Sequence, residues 1–449
     1  MIRKILIQLT FIAILCTGRI NGVVAQVADS SHFKTVAAGK EYSKSRFYQS
    51  LWGKHYRKEW TTPTTFKIAM IDTLAGGLIP YEVGGSRQTK SLKLRDKNNR
   101  EYVLRSINKT FAGALPPVTK GSFIEVLAND QTSIAHPYSA VTIAPMAEAI
   151  GIYHTNPVIY YIPKQKALGT FNDRIGDDLY LFEQRPDENW ITAPNFGNAM
   201  DIKSTGKMLE KIHEDNDRSV DQPAFLRARL FDMVIGDWGR HEDQWRWAEM
   251  KEGKKTTYEA IPRDRDQVYT LFDGTLIQSA KRAARINHLQ SFKHEIRNVN
   301  AFNFPARNLD RHLLNALSFT QWKETAVDIQ KRLTDAVIDS AIKLLPSEVY
   351  DISGPEIASK LKSRRDHLIE YAEEYYKVLA KSVDITGSYE RELFEVKRSN
   401  DGTTQVNIYK ISNKDKIKDK PLYTRTFYKN ETTEIRLYGL GGEDQYDVS

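Results

Sequence analysis

The sequence predicts an α+β protein in two lobes, a β-rich small lobe and a helical large lobe, with a C-terminal antiparallel β module. Three observations carry this. Residues 66–190 hold short stretches of alternating apolar and polar residues broken by glycine and asparagine turns. Residues 191–383 switch to the helical spacing of apolar residues. Residues 384–449 return to alternation around an Asn400-Asp401-Gly402 turn, a strong hairpin signal.

Taken in order, Met1 to Ala25 has the form of an export signal. Arg3 and Lys4 precede an apolar run, Ile5 to Leu15, and Val23-Val24-Ala25 is a small-residue cleavage site. The run is too short to cross a bilayer as a stable helix. The one cysteine, Cys16, lies in this segment, so thiol chemistry and thiolate metal sites are not expected beyond it. Residues 26–65 read as a polar, aromatic-rich arm. Strands are expected at 65–72, 91–96 and 101–107, the last two joined by Lys97-Asn98-Asn99. Helices follow at 122–134 and 140–150, then strands at 158–162 and 179–183. The large lobe opens with helices at 204–214 and 222–235, Ser204 serving as a cap and Pro223 as a first-turn residue. A long helix is expected over 320–345 and another from Pro355, with Ile357, Leu361, Leu368, Ala372, Tyr375 and Leu379 on one face. Strands at 393–398, 404–410, 422–428 and 433–439 complete the chain. Net charge is +8, but the basic residues are dispersed among acids, which argues against a nucleic-acid partner.

The richest chemistry lies in Phe231 to Trp247, FDMVIGDWGRHEDQWRW, and in Ile261 to Tyr269, IPRDRDQVY. Asp237, Arg240, His241 and Gln244 fall in a loop between a helix and a hairpin. Asp264 and Asp266 are two apart on an expected strand, where side chains share a face. Both carboxylates would then reach one Mg²⁺, a cation that takes oxygen ligands. The competing reading is a salt-bridged strand end, since Arg263 and Arg265 alternate with them. Arg105 lies between Val103 and Ile107 on the inner face of its strand, where a charge needs a partner. The competing reading is a sheet-edge cation. His241 reads better as structural than as a ligand, and Arg240 as the partner of an acid such as Asp264 or Asp232.

These segments resemble the protein-kinase-like fold in its atypical branches: phosphatidylinositol kinases, secretory-pathway kinases and spore-coat kinases. Their loop has the form Gly-x-x-Asp-Arg-His-x-x-Asn, against Gly236-Asp237-Trp238-Gly239-Arg240-His241-Glu242-Asp243-Gln244 here. Ile261-Pro262-Arg263-Asp264-Arg265-Asp266 is similar to the spore-coat kinases' I-P-x-D-x-D strand. The resemblance implies a kinase-like domain that binds Mg²⁺ and ATP, or another phosphorylated ligand, between its lobes. Asp264, Asp266 and Gln244 would serve the metal, and Arg105, with Glu125 or Glu148 as its partner and Lys109 as the alternate phosphate ligand, the nucleotide. Asp237, Arg240 and His241 would form the catalytic loop. Two departures weaken phosphotransfer: Gly239 replaces the aspartate that orients the acceptor hydroxyl, and Gln244 replaces a metal-binding asparagine. Losing a general base costs about 10²–10⁴ in rate, so a slow phosphotransferase and a pseudokinase are both open.

A second resemblance runs through HPYSAVTIAPMAEAIGIYHTNP, GDWGRHEDQWRW, IPRDRDQ and GLGGEDQYDVS. They are similar to a region of large exported bacterial proteins, found between a calcineurin-like phosphoesterase and a surface-antigen outer-membrane barrel. That resemblance implies a periplasmic or outer-membrane-associated setting and an alternative function, a non-catalytic module of a barrel protein.

Overall fold

A computed structural model describes residues 32–84, 90–110, 121–412 and 414–449. The export-type segment and residues 85–89, a glycine turn of the small lobe, lie outside them. The α+β class is as expected: a β-rich lobe, a helical lobe and a β-rich C-terminal module.

The N-terminal arm is a packed element. Its strand β1 (Phe33–Val36) pairs antiparallel with β2 (Thr64–Lys67). Between them Tyr42, Tyr56 and Trp60 are buried in the main core, and the Trp60 indole donates to Ala135 O at 2.9 Å. Arg57 makes a two-pronged bond to Asp130 at 2.7 and 2.6 Å, both groups sealed from water. That geometry fixes the arm to the end of the helix Phe123–Asp130.

The small lobe is a five-stranded sheet of β3 (Ile79–Gly84), β4 (Ser91–Arg95), β5 (Glu101–Ser106), β6 (Val158–Ile162) and β7 (Asp178–Gln184), in the order β3-β4-β5-β7-β6. All neighbours are antiparallel. Alternation sorts its two faces. Leu92, Leu94, Leu104, Tyr180 and Phe182 build one core with Ile71 and Leu78. Leu181 turns the other way and joins the main core, and Arg105 stands opposite it in register.

In the large lobe the helix Gln222–Ile235 is the central element. Asp221 caps it by accepting from Ala224 N at 2.8 Å, and Pro223 lies in its first turn. It ends at Gly236, whose φ of 72° is left-handed. A Cβ there would also meet the Phe292 ring at 2.7 Å, so glycine answers both a backbone and a packing demand. Short strands β8 (Ile202–Ser204) and β9 (Arg218–Val220) flank the hairpin of β10 (Trp245–Glu252) and β11 (Lys255–Pro262) in the order β8-β10-β11-β9. Trp245 and Trp247 leave β10 on one face and pack against Phe225 of the central helix.

The expected long helices are divided differently. Residues 320–345 form two helices, Phe319–Arg332 and Asp335–Ile342, because Thr334 turns extended and caps the second by accepting from Val337 N. The next helix starts at Ser347, well before Pro355, and carries that proline inside it to Asp366. A break at His367 precedes Leu368–Ala380. The C-terminal module holds β12 (Ser382–Thr386), β13 (Glu392–Arg398), β14 (Thr403–Lys410), β15 (Tyr423–Tyr428), β16 (Glu434–Tyr438) and β17 (Gln445–Val448). β13, β14 and β15 are antiparallel, while β17 joins β13 and β16 joins β12 in parallel. Its own small core, centred on Phe394, Val406 and Phe427, is separate from that of the lobes.

Candidate functional site

The left-handed turn at Gly236 directs the chain into the polar loop. Asp237 follows and is sealed, about 1 % exposed. Its Oδ2 lies 3.5 Å from Arg240 Nη1 and 3.4 Å from Arg265 Nη1, while Oδ1 has no hydrogen-bond partner. Burial raises its carboxyl to about 6 against the pull of Arg240. Arg240 is fully buried and clamps the loop to the end of β11. It donates to Gln244 Oε1 at 3.0 Å, Gln244 O at 2.9 Å and Arg263 O at 2.7 Å, and lies over the Trp245 ring at 4.5 Å. Gln244 therefore spends its side chain on Arg240. His241 points to solvent, 3.9 Å from Asp243.

Behind this loop lies a buried ion network. Asp232 accepts from Arg265 Nη1 at 2.6 Å and from Arg229, and lies 3.5 Å from Arg240 Nε. Arg229 in turn holds Asp310 at 2.8 Å and Asn303 at 2.7 Å, and Tyr375 donates to Asp310 at 2.7 Å. Buried charges persist when paired in this way.

The face between the lobes has different geometry. β11 stops at Pro262, so Asp264 and Asp266 are not on a strand and do not share a face by alternation. They converge through an irregular segment in which Asp264 takes a φ of 58°, a conformation that aspartate tolerates better than most residues. Arg105 Nη2 lies 2.7 Å from Asp264 Oδ1, and Arg105 Nε donates to Glu183 Oε1 at 2.9 Å. Thr155 supplies a further bond to Glu183 at 2.9 Å. Burial would raise the Asp264 carboxyl, but Arg105 and Arg263 outweigh it and hold it well below the usual carboxylate range. Lys109 Nζ donates to Asp266 Oδ2 at 2.6 Å. Two cations of the small lobe thus meet two carboxylates of the large lobe.

The partner of Arg105 inside its own lobe is Glu183, not Glu125 or Glu148. Glu125 instead accepts from Gly121 N at 2.6 Å at the start of its own helix. Arg263 donates its Nε to Asp264 Oδ2 at 3.2 Å, the salt bridge of the competing strand-end reading, while Glu183 and Thr155 were missed by sequence reasoning. Glu183 had a legible signal, a charge two places from buried Leu181 on one strand face. Thr155 had none, since an isolated hydroxyl in a loop has no pattern.

Mg²⁺ and a nucleotide do not fit this arrangement of the lobes. The carboxylates of Asp264 and Asp266 are the right chemistry for Mg²⁺, yet both are engaged by cations. The cavity they share with Arg105, Glu183 and His154 measures about 20 Å³, room for about one water. Among the described residues no group of three or more His, Cys, Asp or Glu is arranged to hold a metal.

No family model matches the sequence, and no curated protein does. Solved structures give distant likenesses. The proinflammatory kinase CtkA of Helicobacter pylori is 13% identical over 66% of this chain and 96% of its own, with a TM-score of 0.34. HipA of Shewanella oneidensis MR-1, from a toxin–antitoxin complex with HipB and operator DNA, is 11% identical over 67% and 68%, with a TM-score of 0.32. The Rio2 kinase of Chaetomium thermophilum, in its ADP/Mg²⁺-phosphoaspartate complex, is 13% identical over 65% and 71%, with a TM-score of 0.28. Scores this low carry neither fold nor function, and the architecture rests on the strands and helices above.

Proposed function

We propose that this is a kinase-like domain that accepts a phosphate-bearing ligand, Mg-nucleotide included, between its lobes once the pairs Arg105–Asp264 and Lys109–Asp266 part. The observation that carries the reading is that pair of ion contacts between the lobes. Its cations are the groups a phosphate would take, and its carboxylates are the groups a magnesium ion would take. Ligand and metal would replace the two ion pairs with equivalent partners, so opening costs little net charge pairing. Arg105 would hold phosphate through its planar fork and Lys109 as a point charge. Asp264 and Asp266 would supply metal oxygens, with waters completing the shell.

Calorimetry with Mg-ATP tests this. Wild type gives a saturable heat, and Asp264→Ala removes it. Equal heats from the two proteins, or none from wild type, overturn the reading.

A second reading, a non-catalytic module, is favoured by the loop. Asp237 is sealed behind Arg240 and Arg265, and the position before Arg240 is Gly239, with Gln267 Oε1 as the neighbour a Cβ would meet at 3.1 Å. The position where related loops carry the proton-accepting aspartate thus offers no carboxylate, and Asp237 is sealed away from an acceptor. Transfer of label from the γ-phosphate of ATP, abolished by Asp264→Asn, would defeat this reading. An exported, periplasmic or outer-membrane-associated location is part of the same proposal and rests on Met1 to Ala25 and the sequence resemblance. Fractionation of cells expressing the full chain checks it: recovery in the cytoplasm contradicts it.

A further inference from the structure

The helix Thr275–Ala283 leaves the large lobe shortly after the segment of Asp264 and Asp266 and buries none of its own residues. Its start is pinned to the N-terminal arm. Asp273 accepts from Lys54 N at 3.0 Å, and Thr275 Oγ1 donates to Ser50 O at 3.2 Å. Its end carries Lys281 and Arg282. The chain then turns back, with Ile286 N donating to Lys281 O at 2.9 Å, and brings Lys293 and Arg297 alongside. The returning segment is fixed at three points. Phe272 N donates to Ser291 Oγ at 2.8 Å, Gln290 Nε2 to Asn298 O at 2.7 Å, and Arg364 Nε to Lys293 O at 2.7 Å.

Between the helix and this segment lies a cavity of about 120 Å³, lined by Lys281, Arg282, Lys293 and Arg297 and, among the described residues, by one acid, Glu295. One water needs about 10–15 Å³, so the cavity has room for a compact group. Access is open, because Arg282, Lys293, Glu295 and Arg297 are exposed. Lys281 sits deeper, half-buried, with its Nζ 5.1 Å from the centre of the Phe272 ring. Among the described residues none of these four cations is in an ion pair, whereas Arg105, Lys109 and Arg265 all are. Carbonyls at a helix end favour cations in its last turn. That accounts for Lys281 and Arg282 but leaves Lys293 and Arg297, which lie outside any helix. Burial, and then the like charges of Arg297 and Lys293, lower the Lys281 ammonium, in keeping with a cluster that lacks its counter-charge.

We propose that this cavity binds a diphosphate group, free or at the end of a small molecule. Four cations against one carboxylate leave a surplus of three positive charges. A phosphate group brings a charge of about −1.5 to −2, so one falls short and two adjoining ones match. Arg282 and Arg297 offer forks for paired oxygens, and Lys281 and Lys293 offer point charges. The site is built from elements other than the Arg105–Asp264 and Lys109–Asp266 contacts and needs no metal.

The test is titration calorimetry of the full chain without divalent metal, using pyrophosphate, uridine diphosphate, orthophosphate and citrate. Wild type binds pyrophosphate or uridine diphosphate saturably, and orthophosphate and citrate at least tenfold more weakly. Binding of pyrophosphate alone identifies a free diphosphate as the ligand type, and binding of uridine diphosphate an esterified one. Lys281→Gln and Arg297→Gln each weaken binding at least tenfold. Arg297 is exposed, so that variant keeps the fold. Lys254→Gln in the exposed hairpin turn changes nothing. Asp264→Ala removes the Mg-ATP heat yet leaves pyrophosphate binding intact, so failure of this site is separable from failure of the function proposed above. Lysine acetylation read by mass spectrometry locates the ligand: pyrophosphate protects Lys281 and Lys293 and does not protect Lys254. Absence of saturable binding in wild type, wild-type affinity in both Lys281→Gln and Arg297→Gln, loss of pyrophosphate binding in Asp264→Ala, equal protection of Lys254, or citrate binding as tight as pyrophosphate overturns the proposal.

Discussion

Two networks of the same residue types lie within a few residues of each other and behave differently. Around Asp232, arginines and aspartates are sealed inside the large lobe, each carboxylate shared by cations of one rigid unit. Around Asp264 and Asp266, the carboxylates belong to the large lobe and their cations to the small lobe, and the side chains are partly open to water. The first network can only hold the loop in shape. The second, under the function proposed above, would exchange these partners for a ligand and a metal. Charge alone therefore does not mark a ligand site. What sets the second network apart is charge shared between the two lobes and partly open to water.

The largest effect is expected from breaking the sealed network. Asp232→Ala strands Arg229, Arg240 and Arg265 without their common carboxylate. Removing one partner of a buried pair costs about 3–5 kcal/mol, read as a lower midpoint in urea unfolding. A shift as small as that of a surface substitution would mean that the network is not structural.

Asp264→Asn comes next, at about 1–2 kcal/mol, the scale of a charged hydrogen bond lost while Glu183 still holds Arg105. Its pH signature sharpens the contrast. The folded carboxyl is depressed, so its contribution is present above about pH 4 and is lost as pH falls below that. Asp264→Asn should flatten this acid limb.

Asp237 carries the opposite sign. Its folded carboxyl sits near 6, so the folded state binds more protons than the unfolded state between about pH 4 and 6. Stability falls as pH rises through that window. Asp237→Asn removes the slope, and identical unfolding curves against pH for both proteins would contradict the assignment. The smallest effect belongs to Lys109→Ala, about 0–1 kcal/mol, because the pair with Asp266 is partly solvated and screened.

The sequence made the alternation of β4, β5 and β7 legible, together with the central helix and its caps, because these depend on local periodicity and single side-chain bonds. It also singled out Arg105, Lys109, Asp264 and Asp266. It misjudged how the aspartates meet, since a positive φ at Asp264 has no sequence signature when the residue is not glycine. The division at Thr334 and the passage of a helix through Pro355 were illegible for a related reason: tertiary packing overrides local propensity. Burial of Asp237 was hidden too. Its sealing depends on Arg265, 28 residues onward, folding back over the loop.

Hydrogen exchange at low salt and at 1 M salt tests the central claim most directly. Salt of that strength reduces the reach of charge to about 3 Å, enough to weaken the contact between lobes and not the sealed one. The account predicts faster exchange over residues 101–110 and 261–268, with residues 229–240 unchanged. Equal responses from both regions, or none from either, would contradict it.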